Sequence, residues 1–514
     1  MPLAPTKLGP FKSGLVNVVD VTTVPDDALV ECTNFDFDIN GFLLSRPPIV
    51  PITASPVAGE PIDILGTYVT RDGVVYLVVV TNTKTWLYTV GTGAWTQIWA
   101  NRASSFCQYD NKVVMISTTV AGGYWEAGSF VATPTMPLGQ QIVFYQERFW
   151  AFGARNTVDS TTIWFSNINV VSPAQSIYDW QPTSNFFTVS RGDGQWITGL
   201  LPDTNGLIIF RSSSTAVFSF PSSPLTGTLR FVSSTTGTDN QFTFQAYEDY
   251  YLVLNQGYLY QFINYRFYPL NTKRVDFGGG SFVHARRYDL RLSIFGERCI
   301  IFYEGALWVY SISLNTWSKW QSTTSAGTFV QVPPSATTGN DRIAYVAAAE
   351  DDSTKYGLYR ITETQIAAGA TGEEMVSSIT TKTYNQEQPS DYKRMSYWVV
   401  EATTARGLES IASPTALSTE GITFDDLDLT TFDVMDKGSF DNPIIVLPVI
   451  EDNITFPAAA PIRAVFRCIK DMRYLSITYQ VKMGHDGTAA TAPVKIFSIT
   501  PYVRIHGAVS KKVS

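Results

Sequence analysis

The phrase WLYTVGTGAWTQIW, beginning at Trp86, returns as WVYSISLNTWSKW at Trp308. In both, a tryptophan, an apolar residue, a tyrosine, a hydroxyl residue and a second apolar residue read as one strand, and another tryptophan stands nine residues after the first. Between and around them lie KVVMISTTVAGGYWEAGSFV, ERFWAFGARNTVDSTTIWFSN, NGLIIFRSSSTAVFSF, DYYLVLNQGYLYQF and ERCIIFYEGALWVYSI. Most of these read as an apolar strand, a polar or glycine turn, then an aromatic-rich strand. So small a unit cannot bury both faces alone, and stacking such units around an axis does it. The stretch from Pro61 to Thr364, at roughly 40 to 45 residues per unit, predicts a β-propeller of about seven blades, with six or eight open. A pair of β-sandwiches is the competing architecture, because alternation alone does not separate sheet arrangements.

A length of 514 residues implies about two to four domains. Aromatics at 13%, charged residues at only 16%, and 36 Gly with 27 Pro favour many short strands joined by turns. The expected class is therefore all-β. ITETQIAAGATGEEMVSS, 361–378, is where a short helix is plausible, and it has linker composition. Beyond it the strands lengthen. YLSITYQVKM places Leu475, Ile477, Tyr479, Val481 and Met483 on one face, and IFSITPYVRI repeats the alternation through Phe497, Ile499, Val503 and Ile505. The predicted organisation is an extended N-terminal arm with a β-hairpin (1–60), the propeller (61–364), a linker (365–378) and a C-terminal β-sandwich-like domain (379–514). Asp425, Asp426, Asp428, Asp433, Asp436 and Asp441 read as a solvated acidic loop.

The formal charge of −8 gives no basic footprint for gripping nucleic acid. Cys32, Cys107, Cys299 and Cys468 are far apart with no CxxC pair, which points to buried free thiols. The N-terminus lacks the apolar core of a secretory signal, and VVYLVVV (74–80) is too short to span a bilayer as a helix. The expectation is a soluble protein made in a cytoplasm, with no membrane span.

His284, His485 and His506 are the only histidines; none lies in HExxH, and GxSxG and GxxxxGK[ST] are absent. SRGDGQW (190–196) faintly resembles the Asp-box of sialidases, but Ser190 and Asp193 are too far apart and Gly194 follows Asp193 directly. A blade turn is the alternative, and RGD at 191–193 is too short to carry an adhesion reading. DFDINGFLLSRP, from Asp36, opens like a calcium loop, with Asp36, Asp38 and Asn40 at alternate positions before Gly41. Its twelfth position is Pro47 where such a loop needs a bidentate Glu, so a β-hairpin turning at Asn40-Gly41 is preferred. No catalytic, cofactor-binding or metal-binding residue is assigned, no cofactor is expected, and the chain is read as a non-enzyme.

In its surroundings, GPFKSGLVNVVDVTTVPDDALVECTNFDFDINGFLLSRPPIV, that hairpin resembles the N-terminal arm of phage tail nozzle proteins, the tail tubular protein B family of short-tailed phages, and of related tail proteins. The match rests on Gly14, Asn17, Pro25, Asp26, Asn34, Gly41, Leu43, Arg46, Pro47 and Pro48, about forty residues in all, and the second glycine of the family's usual pair is replaced in SGLVN. The propeller and a following β-domain containing KRMSYWVVEA (393–402) fit the same layout. The resemblance implies a virion protein of the phage tail, synthesised in the host cytoplasm and assembled as a homohexameric ring that extends the DNA ejection channel. Its implied neighbours are adaptor or portal-side tail proteins and tail fibres or spikes, with double-stranded DNA passing through without tight binding. A glycan-binding or glycan-hydrolysing propeller is the alternative.

Overall fold

The computed structural model describes residues 4–5, 8–17, 24–47, 49–270 and 290–321, apart from 156, 169, 172–173, 190–191, 222 and 304–305. Beyond these it describes residue 356 and the strands lying between 329 and 506. Every long element is a strand, and a 3-10 turn at Pro224–Thr226 is the sole helical piece among the described residues.

Five four-stranded antiparallel sheets follow one another along the chain, 62–99, 105–132, 141–188, 197–233 and 244–269, and a sixth four-stranded antiparallel unit, 291–320, forms one end of a larger sheet. These are blades one to six. Blade seven is built differently. Phe329–Gln331 and Ala336–Thr337 pair with Ile343–Glu350, which pairs with Gly357–Thr362, and the fourth strand is Ile49–Ala54 from the N-terminal arm. The propeller therefore takes a strand from the segment 1–60, and its N-terminal limit is 49 instead of 61. The physical reason is ring closure: a strand covalently joined to blade one and hydrogen-bonded into blade seven ties the two ends of the ring together.

Apolar cores between neighbouring blades hold the ring. Val78, Leu87, Val113 and Met115 pack at the first seam, Trp150, Ile163, Leu207 and Ile209 at the third, and Phe210, Val253 and Phe262 at the fourth. Ile49, Phe295, Val309, Trp320, Tyr359 and Ile361 join blades six and seven, and Leu358 meets Leu77 and Val79 between seven and one. The first strands of blades two and three, three and four, and five and six pack on one another along the inside of the ring. Along this inner ring glutamines act as cross-stitches: Gln108 bonds both the amide and the carbonyl of Val69 (3.1 and 2.7 Å), and Gln141 does the same to Leu200 (2.8 and 3.2 Å). At the seam of blades five and six, Gln245 Oε1 accepts from the amide of Ile294 (3.1 Å).

The tryptophan phrase is one structure used twice. In blade one Trp95 sits opposite Tyr88, and in blade six Trp317 sits opposite Tyr310, on the third and fourth strands in both cases. The ring pairs are 4.9 and 5.1 Å apart between centroids. Across the ring, Gln241, just before blade five, donates from Nε2 to the carbonyl of Ser104, just before blade two (2.7 Å, both buried). Phe242 joins the core between blades one and two, while its carbonyl accepts from the amide of Leu292 in blade six. Blades two and five are three places apart in the ring, so this segment crosses the propeller's axis.

The C-terminal strands form two layers. In one, the arm strand Ala28–Thr33 lies parallel to the outer strand of blade six at Thr33↔Lys319 and continues that sheet through Met375–Thr381, Tyr474–Met483 and Leu408–Ser418. In the other, the hairpin strands Phe35–Phe37 and Leu43–Ser45 extend Lys495–His506, Tyr392–Thr403 and Pro461–Met472. Pro461–Met472 and Tyr474–Met483 are separated by one residue and lie in different layers, as a sandwich requires. Met375–Thr381 begins inside the segment read as linker, because Val376 and Ile379 to Thr381 are strand formers with a ladder on each side. The alternating side chains of Tyr474–Met483, residues 363–374 and the acidic stretch 425–441 lie outside the described residues.

Candidate functional site

The residues that carry the N-terminal resemblance converge on the joint between blade six and the sandwich. Asn34 has a left-handed backbone (φ +58°), which asparagine tolerates better than most residues, and this reverses the chain between the arm strand and the hairpin. Its amide donates to the carbonyl of Lys319 (2.7 Å), and its own carbonyl accepts from the amide of Arg46 and the hydroxyl of Ser377 (both 3.0 Å). Its side-chain oxygen accepts from Arg46 Nε and from the amide of Gln321, each at 2.8 Å. Arg46, only 2% exposed, also donates to the carbonyls of Pro47 (2.9 Å) and Gln321 (3.0 Å) and lies 6.0 Å from the ring centroid of Trp320. Two buried side chains thus tie together the arm, blade six and the sandwich.

Asp36 points into blade six. Its carboxylate accepts from Arg298 Nε (2.8 Å), Trp320 Nε1 (3.3 Å) and Ser318 Oγ (3.4 Å). Asp38 turns toward the last strand and pairs with Lys495, whose ammonium lies 5.1 Å from the ring centroid of Phe42. Burial pushes the Asp38 carboxyl up, but Lys495 and the amides of Phe42 and Asn40 outweigh it and hold the group below its ordinary value. The two acids of the calcium-like window are therefore held by different cations on different domains.

The turn differs from the two-residue form expected at Asn40-Gly41. The amide of Gly41 donates to the carbonyl of Asp38 (2.8 Å), and within the turn Gly41 alone has positive φ (+80°). The centre is Ile39-Asn40, followed by a left-handed glycine. Asp38 Oδ1 caps the amides of Asn40 (2.8 Å) and Phe42 (2.9 Å), which stabilises the wider loop. At Gly14, also left-handed (φ +65°), an added Cβ would lie 2.8 Å from Thr316 Cβ, so glycine lets the arm lie against blade six. A cleft of about 440 Å³ remains beneath the hairpin, lined in part by Asp38, Ile39, Glu297, Ser311 and Ser313.

The faint Asp-box has a structural employment. Asp193 accepts from Arg211 NH1 (3.1 Å) and NH2 (2.5 Å), and this bond with the fully buried Arg211 holds its carboxyl below the ordinary value. That carboxylate is committed to Arg211 in the connection between blades three and four; Ser190 and Arg191 lie outside the described residues. Burial pushes the thiols of Cys32, Cys107 and Cys299 up, Cys107 to about 12, so they stay protonated near neutral pH. His284, His485 and the side chains of His506 and Cys468 are outside the described residues. Among those described, no three His, Cys, Asp or Glu side chains converge to hold a metal, and no helix is long and apolar enough to cross a membrane. Sequence reasoning missed Arg298 and Lys495 as partners of the arm. They lie hundreds of residues from Asp36 and Asp38, and no local pattern marks them.

No protein-family model matches the chain, and no curated protein does. Solved structures align with part of the chain. The extracellular domain of a one-component system from B. thetaiotaomicron aligns at 10% identity and a TM-score of 0.41, covering 62% of this chain and 40% of that one. This chain thus spans about two fifths of the length of that extracellular domain. The computationally designed Ika8 protein aligns at 10% identity and a TM-score of 0.37, covering 61% of this chain and 99% of its own. A chain of the mitotic checkpoint complex aligns at 11% and 0.38, covering 62% and 94%.

Proposed function

We propose that the chain is a structural, non-enzymatic component of a bacteriophage tail, a nozzle-like ring of six copies that extends the DNA ejection channel. The observation that carries this reading is the joint itself. Asn34 and Arg46, two residues of the tail-protein-like motif, are spent on fastening two β-bodies together, which suits a part whose task is to keep its shape. Two further features support it. The segment through Gln241 and Phe242 crosses the propeller axis, which leaves the space between copies as the route for a duplex. A hexamer would also carry 6 × −8 = −48 formal charges, so passing DNA meets net repulsion.

Negative-stain imaging of the purified protein, beside whole particles labelled for it, tests the proposal: rings, with label at the tail, are expected. Label on the capsid alone, or its absence from particles, would refute it. The conduit reading also requires weak DNA binding. Six to ten phosphate contacts would give non-specific dissociation constants of about 10⁻⁴ to 10⁻⁶ M and steep salt dependence, whereas a wall that repels its cargo should bind no tighter than about millimolar at physiological salt. Release of reducing sugar from host glycans, abolished by changing one carboxylate, would favour the glycan-hydrolysing alternative.

A further inference from the structure

The strand that completes blade seven does not arrive there independently. Residues 46–48 alone separate Ile49–Ala54 from the hairpin strand Leu43–Ser45, which pairs with the last strand of the chain at Leu43↔Ile496 and Leu44↔Lys495. Arg46, the first of those three linking residues, is pinned to Asn34, Pro47 and Gln321. Trp320 continues the connection: its indole N–H donates to Asp36, and its ring belongs to the same core as Ile49 of the closing strand and Tyr359 and Ile361 of the strand beside it. The hairpin is fastened at its tip by Asp38 with Lys495 and at its middle by Asp36 with Arg298, with a cleft beneath it.

We propose that the arm is a clasp: closure of the propeller through the pairing of Ile49–Ala54 with Gly357–Thr362 in blade seven depends on the seating of the hairpin against the last strand, so a disturbance in the sandwich loosens this pairing before the other blades. The physical cause is the short tether. A seated hairpin holds the closing strand at high effective concentration next to Gly357–Thr362, and an unseated hairpin releases a longer, freer loop whose closure costs more entropy. The links run from Lys495 to Asp38, two residues along the chain to Asp36, and through Trp320 to Ile49. Contiguity alone does not establish coupling, so the test must measure it.

Amide hydrogen exchange on the full chain does so, independently of the tail reading. Lys495→Met removes the tip fastening at a partly exposed position and leaves the apolar cores intact; Asp36→Asn weakens the middle fastening with little change of shape. In each variant, peptides covering 49–54 and 357–362 are expected to exchange at least about tenfold faster, while 141–152 in blade three keeps its rate. Ile142→Val, a core lesion in blade three, is expected to leave 49–54 unaltered. Unchanged exchange at 49–54 in the clasp variants, acceleration spread evenly over all blades, or an equal response to Ile142→Val would each overturn the proposal.

Discussion

Replacing Arg46 by methionine tests whether the joint depends on the guanidinium's hydrogen-bond fork. Asn34 Oδ1 would keep the amide of Gln321, whereas the carbonyls of Pro47 and Gln321 would lose the donors now at 2.9 and 3.0 Å. A buried acceptor left without its donor costs about 1–3 kcal/mol. Two such losses come to about 2–6 kcal/mol, and relief from burying a cation offsets part of this. The expected net destabilisation is about 2–4 kcal/mol, a large fraction of a domain's usual margin. Arg46→Lys separates charge from geometry: it keeps the cation but cannot reach three acceptors in one plane, so it should be no milder than methionine. Guanidinium unfolding followed by tryptophan emission is a suitable assay, because Trp320 lies directly under the side chain. A lysine variant within about 0.5 kcal/mol of the parent would refute the argument from the fork, since ordinary surface changes fall within that range.

Gly41→Val should lower the melting temperature by several degrees, because φ is +80° there and the added Cβ would stand 2.8 Å from Lys12 Cγ and 3.1 Å from its backbone nitrogen; an unchanged melt would mean the hairpin is not needed. Calcium or a chelator should leave the melting temperature unaltered, since Asp36 and Asp38 already hold Arg298 and Lys495, and a clear chelator-induced drop would reinstate a metal. Asp38 has a folded pKa below its unfolded 3.8, so its contribution is complete above about pH 4 and is lost as pH falls through the folded value. Lys495→Met should therefore lose less stability than the parent on going from pH 4 to pH 3, and equal slopes would contradict the pairing. Limited proteolysis is expected to cut between 365 and 374, where Gly, Ala and Thr offer little to bury, yet the two pieces should co-elute, because the arm strands Ala28–Thr33 and Leu43–Ser45 pair with Met375–Thr381 and Lys495–His506 of the C-terminal piece; separation on gel filtration would contradict the shared arm.

The propeller was legible in the sequence because a blade is local. Trp86 to Trp95 and Trp308 to Trp317 each form one hairpin, and a hairpin's register is written in its own dozen residues. The hairpin at Gly41 was legible for the same reason, although the carboxylate of Asp38 widened the turn by capping two amides. What could not be read was every pairing that depends on the return of a distant segment. Ile49–Ala54 looks like part of an arm until Gly357–Thr362 is placed beside it, and nothing near residue 50 announces a partner some 300 residues away. Asp193 shows the same limit from the other side: its neighbours suggest a glycosidase box, and the buried Arg211 that occupies it becomes visible only when the blade is folded.

The bond from Gln241 to Ser104 is a spoke across a wheel whose rim is the run of seams between neighbouring blades. Blades that touch nearest neighbours alone make a ring of hinges, and such a ring flattens easily under a sideways load because each hinge yields separately. One spoke across the hub changes this: to flatten the wheel, the load must stretch the spoke as well as open the hinges. Gln241→Ala should therefore soften the whole rim under shear while leaving each hinge as tight as before.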